Sequence, residues 1–235
     1  MLLSKEKGDA LGNFTAYNHR FRMPWRESGA SSNMWYSFNY GPVHFVQIDT
    51  ETDFPGSPND QYRSKNGGFG DQLAWLEQDL RQANKERSLR PWVLVAGHRP
   101  VYSLKAVDST GTPTGAELAL QQAVEEMFYK YEVDMYLCGH QHSYERHWPV
   151  YQSKRTQTNY INPRATVYVV NGASGNVEGH SGGYGVENPD WENKWNNGDY
   201  GVGFIKVHNN THLDYTFVES ATGVVNDTFT LVKYH

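Results

Sequence analysis

Apolar and aromatic positions come in short runs divided by turn residues. Met34-Trp35-Tyr36-Ser37-Phe38-Asn39-Tyr40 and Val43-His44-Phe45-Val46-Gln47-Ile48-Asp49 flank Gly41-Pro42, a pattern that predicts a β-hairpin. From Asp71 to about Asn84, Leu73, Leu76 and Leu80 recur at helical spacing behind Asp71 as N-cap, so a helix follows. Trp92 to Ala96 reads as a strand, Ala116 to Tyr131 as a second helix, and Val133 to Cys138 as another strand. This β-α-β-α-β alternation specifies an α/β layer with helices packed on a sheet. After Trp148 the helices stop. Val167 to Asn171, Gly201 to His208, His212 to Glu219 and Val224 to Val232 read as strands suited to antiparallel pairing. Gly172 to Gly203, rich in Gly, Asn and Trp and without periodicity, reads as a long surface loop.

Composition narrows the class. With 235 residues, 38% hydrophobic and 20% charged, the chain can bury a core without disulfides or metal. A net charge of -5 argues against nucleic-acid binding, and no apolar run approaches the roughly 20 residues of a membrane span. The lone Cys138 forms no disulfide framework. Asn13-Phe14-Thr15, Asn209-Asn210-Thr211 and Asn226-Asp227-Thr228 are glycan acceptor triplets, which point to an extracellular or lumenal location. Met1-Leu2-Leu3-Ser4-Lys5-Glu6-Lys7 has no apolar stretch resembling a signal peptide.

Two strands end alike, in Val95-Ala96-Gly97-His98 and Leu137-Cys138-Gly139-His140-Gln141-His142. In open α/β sheets ligands bind beyond the carboxyl ends of the strands, so three imidazoles converge there if both turns face one crevice. Neutral imidazole suits zinc, iron and manganese. Chance alone supplies about 0.4 His-x-His pairs at this histidine content, so the pair by itself is weak; its repetition after glycine at two strand ends is the informative part. A phosphate-hydrolysing metal pair also needs bridging and terminal carboxylates.

Gly97-His98-Arg99-Pro100-Val101-Tyr102 and Gly139-His140-Gln141-His142-Ser143-Tyr144-Glu145-Arg146 resemble the last two metal-binding motifs of purple acid phosphatases, within the calcineurin-like metallophosphoesterases. The likeness runs from Asn13-Phe14-Thr15-Ala16-Tyr17-Asn18-His19-Arg20-Phe21 to Asn171-Gly172-Ala173-Ser174-Gly175-Asn176 and the C-terminal strands, and fits fungal-type eukaryotic members best. It implies part of an α/β metallophosphoesterase β-sandwich flanked by helices, with antiparallel C-terminal strands. Residues 13–150 would belong to the metallophosphoesterase domain, and 151–235 to a C-terminal region packed on it. The resemblance also implies an Fe(III) ion paired with Zn, Mn or Fe that hydrolyses phosphate monoesters. His98 and His140 would bind the divalent ion and His142 the ferric ion.

The family's Asp-x-Gly, Gly-Asp-x-x-Tyr and Gly-Asn-His motifs are absent from the sequence; Gly8-Asp9 and Gly12-Asn13 only mimic fragments of them. This chain is therefore expected to hold at most a partial metal site and to be inactive by itself, as the C-terminal part of a longer enzyme. A non-catalytic scaffold or binding domain and a mononuclear zinc hydrolase are the alternatives. Asp49 is expected to make structural hydrogen bonds. Tyr144, Glu145 and Arg146 are expected to form a network behind the histidines that orients their rings. His147, His180, His208 and His212 read as surface or loop histidines, and Trp191 and Trp195 as packing or rim residues.

Overall fold

The computed structural model describes residues 14–58, 67–182 and 189–234. Its elements, in chain order, are α1 (Thr15–Arg20), β1 (Tyr36–Tyr40), β2 (Val43–Gln47), α2 (Gln72–Lys85), β3 (Trp92–Ala96), α3 (Gly115–Lys130), β4 (Met135–Cys138), β5 (Tyr144–Tyr151), β6 (Lys154–Arg155), β7 (Val167–Asn171), β8 (Glu192–Asn196), β9 (Gly201–Val207), β10 (His212–Glu219) and β11 (Val225–Val232).

The hairpin expected around Gly41 is β1 against β2. Both long helices form where the helical patterns place them, and Asp71 caps α2 by accepting the Ala74 amide at 3.0 Å. The eight-stranded sheet runs β1-β2-β3-β4-β7-β5-β6, with β8 paired to β5, and a second sheet runs β11-β10-β9. β2, β3, β4 and β7 are parallel neighbours. Their apolar runs are buried on both faces, and the period of two divides the side chains cleanly. Val93 and Val95 face the helical core with Leu76, Leu80, Leu120 and Phe128. Trp92 and Leu94 face the small sheet with Leu213, Tyr215, Phe217 and Leu231. The result is a mixed α/β sandwich of helices, large sheet and small antiparallel sheet.

Three expectations change. Val167–Asn171 does not pair only antiparallel, because β7 lies parallel to β4 and antiparallel to β5. β5 escapes sequence detection because Pro149 interrupts its run; the ladder accommodates that proline at a register shift between Arg146 and Pro149. The stretch 172–203 is not all surface loop. β8 forms within it, although Glu192-Asn193-Lys194-Trp195-Asn196 carries no apolar periodicity, because β5 offers an edge to pair with.

Candidate functional site

The parallel strands deliver their following loops to one rim. His98 follows β3, and His140 and His142 follow β4. The pairing continues past the strand ends, with Gly97 N donating to Leu137 O at 3.0 Å and Gly139 N to His98 O at 3.0 Å. That continuation holds the two histidine turns side by side. All three histidines line one open cleft of about 620 Å³, together with Lys105, Gln141, Glu178, Gly179, His180, Ser181 and Gly182.

Of the glycines before the histidines, Gly97 is sterically required. A Cβ there would stand 2.5 Å from the Tyr136 hydroxyl and 2.6 Å from Thr50 Cγ2, whereas at Gly139 the nearest atom would be 3.8 Å away. The left-handed residue at the second turn is His140 itself, at φ 62. A non-glycine residue held there stores strain, a common property of binding loops.

Hydrogen bonding fixes the protons. Arg99 Nη1 lies 2.8 Å from His140 Nε2, and His140 Nδ1 lies 3.1 Å from His98 Nε2. A guanidinium only donates, so His140 Nε2 accepts, Nδ1 carries the ring proton, and His98 Nε2 accepts that proton. Burial, followed by Arg99 and the neighbouring histidines, holds His140 down to about 4, so the ring is neutral at physiological pH. Burial also lowers His98, against the opposing pull of Glu51. Arg99 is itself anchored, donating from Nε to Glu51 Oε1 at 2.8 Å and from its backbone amide to Thr50 Oγ1 at 2.8 Å.

The residues expected to orient these rings do something else. Tyr144 and Arg146 are directed to the small sheet: Arg146 makes a bidentate pair with Asp227 at 2.6 and 2.8 Å, and the Tyr144 hydroxyl donates to the same carboxylate at 2.7 Å. Alternation along β5 turns them away from the rim, so they bolt the two sheets together. Glu145, on the opposite face, accepts the Leu104 amide at 3.0 Å and the Ser143 hydroxyl at 3.1 Å, bracing the loop after Arg99. His142 is instead oriented by residues 179–181. Its Nδ1 faces Gly179 O at 3.0 Å, its amide donates to Ser181 Oγ at 2.8 Å, and its carbonyl accepts the Ser181 amide at 3.0 Å.

Other expectations sort in the same way. Asp49 is structural, accepting the Glu51 and Thr52 amides at 2.7 and 3.2 Å and the Thr52 hydroxyl at 2.9 Å. His147 is not a surface residue. It is fully buried with its ring nearly perpendicular to that of Trp191, and burial pushes it down to about 3. Trp191 is a core residue, its Nε1 donating to Gly111 O at 2.9 Å. Asn209 sits in the exposed β9–β10 turn, where its Oδ1 accepts the Thr211 amide and hydroxyl at 2.8 and 2.9 Å. Asn226 is half-buried and donates to Asp199 at 3.0 Å. Asp9 and Asn13 lie outside the described residues.

The sequence matches models of known families over most of its length. A family model described as calcineurin-like phosphoesterase matches residues 7–144, and one described as iron/zinc purple acid phosphatase-like protein C matches residues 165–228. The chain belongs to the purple acid phosphatase group of the calcineurin-like phosphoesterases. It is 35% identical to an acid phosphatase of Aspergillus ficuum, over 94% of this chain and 41% of that protein. It is 36% identical to acid phosphatase type 7 of Danio rerio, over 94% of this chain and 51% of that protein. The chain thus spans about half or less of the length of these curated relatives. A purple acid phosphatase from yellow lupin (Lupinus luteus) seeds shares the fold at TM-score 0.68 and 24% identity, over 86% of this chain and 33% of that one. No helix among the described residues is long and apolar enough to cross a membrane.

Purple acid phosphatases imply iron and a second divalent metal. The residues described do not fit such a pair. The 3.1 Å between His98 Nε2 and His140 Nδ1 suits two imidazoles on one ion, whose bonds run about 2.0–2.1 Å. Yet Arg99 keeps the proton on His140 Nδ1, the nitrogen such an ion would need. Among the described residues no group of three or more His, Cys, Asp or Glu is placed to bind one ion, and a metal pair needs several carboxylate oxygens as well.

Sequence reasoning missed Arg99, Lys105 and the 179–181 segment as parts of the site. Arg99 was visible only as the neighbour of His98. The signal for 179–181 was the length of the unpatterned stretch it lies in, which is a common mark of a functional loop.

Proposed function

We propose that this chain supplies the histidine-bearing side of a phosphomonoesterase cleft, the whole protein hydrolysing phosphate monoesters at a centre that pairs iron with zinc, manganese or iron. The observation that carries the reading is the convergence of His98, His140 and His142 from two adjacent parallel strands on one cleft. Lys105 brings positive charge to a phosphoryl group there, and the Arg99–His140–His98 chain leaves His98 Nδ1 as a donor. Once Arg99 releases His140 Nδ1, the three imidazoles would provide the protein's nitrogen ligands, while carboxylate and tyrosine ligands of the Asp-x-Gly and Gly-Asp-x-x-Tyr type are not in this sequence. By itself the chain is therefore an incomplete catalyst.

The family assignment, together with the exposed Asx turn of Asn209, supports a glycosylated protein of the secretory pathway with Asn209 as an acceptor. A second reading, a domain that binds phosphate esters without hydrolysing them, is favoured by the closed Arg99–His140–His98 hydrogen-bond chain.

The test is a titration of this chain with inorganic phosphate, followed through the imidazole resonances of the three histidines. Saturable shifts that weaken in Lys105→Ala and are competed by a phosphomonoester support the cleft as the phosphate site. Resonances that do not move overturn it. Turnover of a chromogenic phosphate ester by this chain alone would overturn the incomplete-catalyst part, and its loss in His140→Ala would place that turnover in the cleft.

A further inference from the structure

His142 differs from its two neighbours in what holds it. His98 and His140 are tied to each other and to Arg99, all on the loops after β3 and β4. His142 is tied to a segment 39 residues further along the chain, in the loop after β7. Three contacts join them, two of them reciprocal between His142 and Ser181, so the pair reads like one rung of a β-ladder in which the serine hydroxyl replaces a carbonyl as acceptor. The rung places the Gly179 carbonyl 3.0 Å from His142 Nδ1.

A carbonyl only accepts, so the proton of the neutral ring sits on Nδ1 and the lone pair on Nε2. Nε2 is on the side of Glu178, whose Oε2 is 3.8 Å away at the cleft rim. The segment is in turn held from behind. His180 stacks on Tyr200 with ring centroids 4.0 Å apart, and Asn197 Nδ2 donates to Ser181 O at 3.3 Å. Ser181 is buried, so its hydroxyl is shielded from exchange of partners with water.

We propose that Gly179 and Ser181 are the positioning residues of His142, fixing its ring as the Nδ1–H tautomer with the Nε2 lone pair presented to the cleft. A histidine that must offer one nitrogen needs the other one occupied by a backbone carbonyl or carboxylate, and loss of such a partner costs activity or affinity because the ring turns or changes tautomer. The inference rests on the cleft reading only for what the presented lone pair does. The tautomer is a property of the chain with nothing bound.

The experiment is long-range 1H–15N correlation of histidine imidazoles in this chain, with His142 assigned through His142→Gln. The wild type is expected to show a protonated Nδ1 and an unprotonated Nε2 at His142. Ser181→Ala is expected to move His142 alone toward an average of the two tautomers, with His98 and His140 unchanged, and Ser181→Thr, which keeps the hydroxyl, is expected to restore the wild-type pattern. A protonated Nε2 in the wild type overturns the proposal, as does an unchanged His142 in a folded Ser181→Ala protein or an equal shift of all three histidines. If Ser181→Ala does not fold, Asn197→Ala takes its place: partial averaging at His142 supports the proposal and an unchanged ring overturns it. Failure of phosphate to bind would sink the cleft reading and leave the tautomer result standing.

Discussion

Arg99 Nη1 donates to His140 Nε2 across 2.8 Å, and this one contact decides which nitrogen of His140 carries its proton. Because Arg99 has no acceptor to offer, His140 Nδ1 stays protonated and is spent on His98 Nε2. Replacing Arg99 with methionine keeps an unbranched apolar stem, removes the guanidinium and frees the ring to choose its other tautomer. Arg99→Met is expected to bind zinc about 10-fold or more tightly than the wild type, similar in size but opposite in sign to the usual loss of a partner one step removed from a metal, because Arg99 holds the tautomer that blocks the ion. Competition against a chromophoric chelator measures it, and equal affinities would show that Arg99 swings aside at no cost.

Gly97 and Gly172 are close-approach positions while Gly139 is not. A Cβ on Gly172 would fall 1.9 Å from the Gln141 carbonyl oxygen, a backbone atom that cannot rotate away. Gly97→Ala is expected to cost about 1–3 kcal/mol as overpacking, and Gly172→Ala more. Gly139→Ala should stay within about 0.5 kcal/mol of wild type. Urea unfolding of the three variants gives the ranking, and a costly Gly139→Ala would contradict it.

His147 makes stability depend on acid. Its folded-state value of about 3 lies well below the ordinary 6.5, because burial disfavours the charged ring. The unfolded chain therefore takes up a proton near pH 6.5 that the folded chain refuses. Stability contributed by the neutral ring is intact above that pH and declines as pH falls toward 3, with a slope of at most about 1.4 kcal/mol per unit. His147→Leu is expected to flatten the decline between pH 6 and 4 in urea melts.

Asp227 joins β11 to β5 through Arg146 and Tyr144, and both partners of the ion pair are nearly buried, at 10% and 9% side-chain exposure. Asp227→Ala strands the guanidinium and should cost about 3–5 kcal/mol. Arg146→Met with Asp227→Leu removes both charges and should recover much of that loss. Thermal unfolding of the single and double variants tests it; equal destabilisation by both would mean the pair adds net stability beyond avoiding a stranded charge.

Local pattern made the hairpin, both helices and the strands β2, β3 and β4 legible, since each is written in a helical apolar pattern or an unbroken apolar run. Gly97-His98 and Gly139-His140-Gln141-His142 were legible as one site because strand ends share a rim. What stayed hidden depends on partners. β5 carries Pro149 and β8 carries Glu192, Asn193 and Lys194, so neither looks like a strand until paired. The roles of Tyr144 and Arg146 turned on which face of β5 they occupy, which a sequence without a recognised strand does not reveal. Ser181 belongs to His142 only through a contact across 39 positions.

Those separations also govern when the cleft comes into being. Arg99 meets Glu51 across 48 positions, His98 meets His140 across 42, and Ser181 meets His142 across 39, each contact waiting on a parallel strand pair. Long loop closures of this kind delay folding. The two helices and the β1–β2 hairpin can form early from local contacts, whereas the three imidazoles come together only when β2, β3, β4 and β7 have all docked. A ligand captured in the cleft would therefore report that the β3–β4 and β4–β7 pairings are in place.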